Sequence, residues 1–208
     1  MRKVPLVNFR GNRFNILFFN AVYCYFLHRE MRDFLSLRKD RNGLLQAVFV
    51  DLNVQGNIAG LKCLGLVSKL LTGPLWRLLA DDELDMVEFG GVIKTVLDNL
   101  DKVASTPDGV ESFLDGTAVL SPRKEWTIKK DAIYNELKAP NNRIDSECAA
   151  FLSVLLPSFL SWLFREHFQL QIGFSEKDGV EKANAKDKHP LRTNVCLRRF
   201  PCDTQAKH

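Results

Sequence analysis

The amino-acid sequence predicts an all-α fold, an irregular array of several helices followed by a polar tail. Apolar residues recur at spacings of three, four and seven along most of the chain, the period of helices with one buried face. Alternation of period two, which is typical of a half-buried strand, holds for only a few residues at a time. We therefore divide the chain into a basic lead-in at 1–11, a helical domain at 12–172 and a tail at 173–208 that is expected to be disordered.

The first half of the helical domain is predicted to contain three helices. The first begins at Gly11 or Asn12, and its apolar stripe comprises Phe14, Leu17, Phe18, Ala21, Tyr25, His28 and Leu35. A turn at 40–43 separates it from a short apolar stretch at 44–52, for which a helix is favoured over a strand. The third helix covers about 57–71. Pro74 is expected to end that helix, because it lacks an N–H group, and to begin a separate helical turn at 75–79.

The second half is predicted to begin with a helix at 84–103, capped by Asp81 or Asp82. Gly90 and Gly91 lie inside it at a cost of about 1 kcal/mol each relative to alanine, so close packing or a kink is expected there. Residues 106–109 form a loop, and 110–114 add one turn. A short amphipathic helix follows at 129–137, and then a long helix at 147–169 with a kink at Pro157.

Composition and cysteine usage indicate an intracellular globular protein. Hydrophobic residues make up 46% of the 208 residues and charged residues 26%, which is ordinary for a chain with a packed core. The five cysteines are an odd number, widely spaced and without a C-x-x-C pair, which argues against a zinc site and a secreted disulfide framework. We expect a reducing compartment, the nucleus or the cytoplasm.

Two apolar stretches imitate membrane signals. The first, at 14–27, follows a basic start but contains two asparagines, lacks a small-x-small cleavage site and continues as a helical pattern. The second, at 148–164, is shorter than the roughly 20 residues of a spanning helix and contains Pro157. We interpret both as core helices, and membrane association through 148–164 remains the alternative.

The sequence offers no convergent set of catalytic groups. It contains no phosphate-cradling glycine loop, no H-E-x-x-H and no G-x-S-x-G, and its four histidines are scattered. The acidic cluster at 81–88 is explained by helix capping and the helix dipole. We therefore predict that the chain is not an enzyme, with no catalytic, cofactor-binding or metal-binding residue, no cofactor and no small-molecule substrate.

Basic residues supply the candidate contacts to nucleic acid. Arg10 and Arg13 flank the start of the first helix, where backbone N–H groups can meet a phosphate. A second basic patch lies beside Trp126, an aromatic side chain on which a base can stack, and comprises Arg123, Lys124, Lys129 and Lys130. The competing interpretation is that these residues form ordinary solvated faces.

Three segments resemble the C-terminal region of hAT-superfamily transposases and of genes domesticated from them. Arg13-Phe14-Asn15 is similar to the R-[WF]-[NL] motif near the start of the family's helical insertion. The stretch 60–77, GLKCLGLVSKLLTGPLWR, looks like an inner helix of related transposon-derived proteins, and 190–200, PLRTNVCLRRF, like a degraded terminal segment.

This resemblance implies a helical insertion without its catalytic sheet. The family's two aspartates and one glutamate bind divalent metal on an RNase H-like sheet, and the aspartates precede the R-[WF]-[NL] motif, where this sequence has twelve residues. Arg198 or Arg199 stands where the family's last acidic residue is expected, and its zinc-binding BED finger is absent. The family analogy assigns such an insertion to DNA contacts and oligomer packing.

We therefore expect a non-catalytic, transposon-derived helical protein that binds DNA weakly through its charge, or binds a protein partner. Homo-oligomers are compatible with this expectation. The alternative from another class is a helical scaffold or adaptor without a nucleic-acid role.

Overall fold

A computed structural model describes residues 13–79, 86–124 and 126–157 of the chain. Residues 145–157 are helical and are labelled α8. The elements that precede them are α1 (Arg13–Leu37), α2 (Gly43–Asp51), α3 (Gln55–Val67), α4 (Gly73–Leu79), α5 (Met86–Ala104), α6 (Pro107–Leu114) and α7 (Ala132–Lys138). The predicted all-α array is confirmed for these three ranges, in which no strand occurs. The lead-in 1–11 and the tail 173–208 lie outside them.

The core forms around α1 and α3, which pack against each other along much of their length. Helix α7 packs on both of them, and α5 packs on α6. Buried side chains from seven helices, α1 and α3 to α8, meet in one apolar cluster, which includes Phe18, Tyr25, Leu66, Phe113, Leu137 and Leu152. Burial of this apolar surface is the main favourable contribution to folding.

The predicted apolar stripe of α1 is largely buried. Phe18, Ala21, Tyr25, His28 and Leu35 are at most 8% exposed. Leu17 is 51% exposed, whereas Ile16 and Val22, which the stripe omitted, are buried. The buried face is broader than the stripe because α1 contacts both α3 and α7. The side chain of Phe14 lies outside the described residues.

The chain does not leave its helix at Pro74, contrary to the prediction. A π-helical segment, Ser68–Thr72, joins α3 directly to α4. The N–H of Gly73 donates to the carbonyl oxygen of Ser68, five residues earlier. This wider turn accommodates Pro74, whose ring would otherwise clash with the carbonyl of the residue four positions before it.

Three local predictions also need correction. Residues 106–109 are the start of α6 and not a loop, because the Thr106 hydroxyl oxygen accepts from the Gly109 N–H at 3.1 Å and Pro107 occupies the first turn. Helix α7 begins at Ala132, where the Asp131 side chain accepts from the Tyr134 N–H at 2.8 Å. The close packing expected at Gly90 and Gly91 is not found, because an added Cβ would meet no described atom within 4 Å, and the kink expected as the alternative stays a prediction.

Two glycines of α3 are expected to respond oppositely to alanine. An added Cβ at Gly65 would lie 2.6 Å from Leu137 Cδ2, and Leu137 is fully buried. We expect Gly65→Ala to lower the free energy of unfolding by about 1–3 kcal/mol through overpacking. An added Cβ at Gly60 meets nothing within 4 Å, so Gly60→Ala should raise that free energy by up to about 1 kcal/mol through helix propensity.

Urea unfolding followed by circular dichroism measures both variants against the parent chain. Equal stabilisation by the two substitutions would contradict the α3–α7 contact at Gly65.

Candidate functional site: a basic cleft and the predicted basic residues

The second predicted basic patch lies on the connection between α6 and α7. Lys124, Lys129 and Lys130 are exposed, and Arg123 Nη2 lies 3.8 Å from Glu88 Oε1. Trp126 is 8% exposed and belongs to the core. It therefore presents no free ring face to a nucleic-acid base, which corrects the prediction of an aromatic side chain within this patch.

Internal contacts hold the end of this connection. The Arg77 guanidinium donates to the carbonyl oxygen of Thr127, and Lys69 Nζ lies 2.7 Å from Asp131 Oδ2. Burial alone raises the pKa of Asp131, but the hydrogen bonds from Lys69 and the Tyr134 N–H, together with the charges of Lys69 and Lys129, outweigh it and lower that pKa. The positive charge of Lys129 therefore already acts on the Asp131 carboxylate of the same chain.

No described interaction links this patch to Arg10 or Arg13, the other two residues predicted to contact nucleic acid. Arg10 lies outside the described residues. Arg13 is the first residue of α1, and its side chain also lies outside the description. Their role at a helix start stays a prediction.

A cleft of about 740 Å³ lies between α1, the α2–α3 connection and the loop at 139–144. We call it the basic cleft, because Arg29, Arg32 and Arg143 line it against one acidic residue, Glu136. Its volume is typical of a ligand-binding cavity. The sequence interpretation did not identify this cleft. Its only local signal is that Arg32 follows His28 by four residues and Arg29 by three, spacings that bring side chains together on a helix.

Helix α1 forms one wall of the basic cleft. The His28 ring stacks on Tyr25 with 5.3 Å between centroids, and its Nδ1 is hydrogen-bonded to the Tyr25 carbonyl oxygen. Both residues are buried, whereas the side chains of Arg29 and Arg32 are 61% and 42% exposed. Burial, followed by the nearby charge of Glu136, raises the pKa of Tyr25 to about 12, so the phenol stays neutral at physiological pH.

The loop at 139–144 forms the opposite wall. The Gln55 side-chain amide donates to the carbonyl oxygen of Arg143, which joins the loop to the start of α3. Lys62 Nζ donates to the Ala139 carbonyl oxygen at 3.0 Å and to Asp145 Oδ1 at 2.6 Å. Because the Lys62 side chain is 1% exposed, this ion pair is a buried structural link behind the wall of the cleft.

The arginines of the cleft are weakly engaged by the described residues. Arg29 Nη2 lies 3.9 Å from Glu136 Oε1, and Arg32 Nε lies 3.7 Å from Asp33 Oδ1. Every side chain in these two pairs is more than 40% exposed, so each pair is worth at most about 1 kcal/mol. The exposed Arg143 forms no ion pair with another described residue. The described contacts therefore hold these guanidinium groups only weakly.

The histidine, cysteine and acidic side chains of the described residues were considered as metal ligands. None of them forms a group of three or more histidine, cysteine or acidic side chains suited to a metal ion. Cys63 and Cys148 are buried where α3 meets α8, and each Sγ lies 3.5 Å from a backbone carbonyl oxygen of the facing helix. The hydrogen bond with Cys148 and burial raise the pKa of the Cys63 thiol, which keeps it protonated.

The described helical run that could span a membrane is not one of the two stretches suggested by the sequence. Among the described residues, one helical run, Gln55–Leu78, is long and apolar enough to span a bilayer, and 67% of its apolar window is buried inside the protein. In the predicted stretch 148–164, the part before residue 158 buries Cys148, Leu152 and Leu156 and exposes Phe151 and Val154.

Comparison with protein-family models, with curated proteins and with solved structures gives no match to this chain.

The buried ion pair behind the cleft predicts an asymmetric response to mutation. Asp145→Asn removes the carboxylate that compensates the buried Lys62 ammonium and leaves it only neutral oxygen acceptors, and we expect it to lower the free energy of unfolding by about 3–5 kcal/mol. Lys62→Met removes the buried charge and leaves Asp145, which is 29% exposed and still accepts from the Asn141 N–H, so a loss below about 2 kcal/mol is expected. Urea unfolding compares the two; a larger loss for Lys62→Met would contradict this role.

The lowered pKa of Asp131 predicts a pH-dependent contribution to stability. A carboxylate whose pKa is lower in the folded state stabilises the fold above its unfolded pKa, near 3.8, and this stabilisation is lost as the pH falls through the folded value. Asp131→Asn removes the charge and retains an efficient N-cap. We expect the parent to be the more stable at pH 7 and the difference to shrink below pH 3.8, as measured by urea unfolding. A difference that is constant with pH would contradict the Lys69–Asp131 interaction.

Proposed function

We propose that this chain is a non-catalytic helical binding protein that holds an anionic partner in its basic cleft. The observation that carries the proposal is the gathering of three exposed, weakly paired arginines around one cavity that contains a single carboxylate. Arginine presents a planar fork of donors that matches carboxylate and phosphate groups. Long-range attraction by such a cleft also raises the rate at which anions associate with it.

We also propose a transposon-derived origin, as the resemblance to hAT-superfamily proteins suggests. The Arg13-Phe14-Asn15 motif lies in the helix α1, and a helical setting is what the resemblance to the family's insertion implies. The described ranges contain helices and no strand, which is compatible with an insertion that lacks its catalytic sheet. In this proposal the lysines at 124, 129 and 130 supply a secondary, nonspecific attraction for DNA.

Exposed apolar side chains favour a second candidate, a scaffold or adaptor. Phe34 and Leu37 at the end of α1 and Leu44 at the start of α2 are 56%, 82% and 73% exposed. Exposed apolar patches of this kind mark protein interaction sites. This candidate predicts binding that is insensitive to salt.

Binding to polyanions tests the proposal. Fluorescence anisotropy at 50–200 mM salt measures binding to labelled polyglutamate and to a short DNA duplex. We expect binding that weakens steeply with salt, because bound cationic groups displace counterions. In the variant Arg29→Ala/Arg32→Ala/Arg143→Ala, affinity should fall at least about tenfold and the salt slope should decrease.

A control variant, Lys39→Ala/Lys94→Ala/Lys102→Ala, removes three exposed cations that do not line the basic cleft. It should retain most of the affinity. Equal losses in the two variants, or no binding to either polyanion at 50 mM salt, would exclude the cleft as the anion site.

A further inference from the structure

The basic cleft combines a charged rim with an apolar floor. Leu52, Ile58 and Ile144 line its interior and are 7%, 7% and 4% exposed. The guanidinium groups of Arg29 and Arg32 belong to long, exposed side chains on the wall beside that floor. An occupant that uses the whole cleft therefore needs both negative charge and an apolar group.

This combination disfavours nucleic acid as the occupant. A cavity of about 740 Å³ accommodates a few side chains, whereas a duplex is wide enough that its major groove alone measures about 12 Å. Single strands bind by stacking bases on open aromatic faces, but the described aromatic rings that line the cleft, Tyr25 and His28, stack on each other. Nucleic acid would use the rim and leave the floor empty.

We propose that the occupant of the basic cleft is an acidic protein segment that carries an apolar side chain. Carboxylates of the segment pair with Arg29, Arg32 and Arg143, and the apolar side chain covers the floor formed by Leu52, Ile58 and Ile144. Paired guanidinium–carboxylate contacts orient the segment, and the apolar contact adds affinity that persists at high salt. This inference rests on the proposed function and names its class of partner.

The sequence itself supplies a suitable probe for this chemistry. Residues 80–87, ADDELDMV, place Leu84 and Met86 among four acidic side chains. A synthetic peptide with this sequence therefore serves as the probe and is added in trans.

The experiment titrates the full chain into the labelled peptide and into two altered peptides. In one, the four acidic residues are replaced by their amides; in the other, Leu84→Ser and Met86→Ser remove the apolar groups. We expect the amide peptide to bind at least about tenfold more weakly and the serine peptide about five- to tenfold more weakly. Raising the salt should weaken the parent peptide less steeply than polyglutamate of the same charge.

Protein variants locate the binding. The variant Arg29→Ala/Arg32→Ala/Arg143→Ala should lose binding of the parent peptide at least about tenfold, while Lys39→Ala/Lys94→Ala/Lys102→Ala should retain it. Equal affinity for the parent and serine peptides would overturn the inference. So would a DNA duplex that displaces the peptide and binds the cleft more tightly; in that outcome the proposed function stands. If neither DNA, polyglutamate nor the peptide depends on the three arginines, both proposals fail.

Discussion

A buried lysine constrains the described fold more than any other polar group. Lys62 lies on α3, and its ammonium meets Asp145, the first residue of α8, and the carbonyl oxygen of Ala139 just after α7. Removing an ammonium from water costs several kcal/mol, which is recovered only when its partners stay in place. Asp145 in turn accepts from the Asn141 N–H at 2.6 Å. One charge therefore fixes where the chain leaves α7, how it turns and where α8 starts.

The basic cleft is a consequence of that constraint. Its outer wall is the loop at 139–144, whose two ends are held by Lys62 through Ala139 and Asp145, and whose middle is joined to Gln55. The opposite wall is α1, which is held by packing against α3 and α7. Helix α3 therefore holds both walls in position. The cavity between them does not depend on contacts among the arginines, two of which form only weak, exposed ion pairs.

The sequence was sufficient to predict the helical class and most buried faces, because periodicity is a local property. Tyr25 and His28 were placed correctly on the buried face of α1 for this reason. Pro74 was misjudged, because the local rule for proline does not include the π-helical turn that takes it up. The pair Lys62 and Asp145 was also missed, since 83 positions separate the two residues and nothing in their neighbourhoods indicates a partner. The cleft was missed for the same reason. Arg29 and Arg32 are neighbours by helical spacing, but Arg143 joins them only through the tertiary fold.

The charged rim and the apolar floor of the cleft differ in whether a substitution alters only binding or also stability. Arg29 and Arg143 are exposed and Arg32 is half-buried, and all three contribute little to the free energy of unfolding, so their substitution alters binding with the fold retained. Leu52, Ile58 and Ile144 are core residues, and changing them disturbs packing as well as the cleft. The charge of the cleft can therefore be altered independently of stability, whereas its shape cannot. Specificity for the apolar part of a partner is accordingly tied to the core that surrounds Lys62, and specificity for its charge is carried by three side chains at the surface.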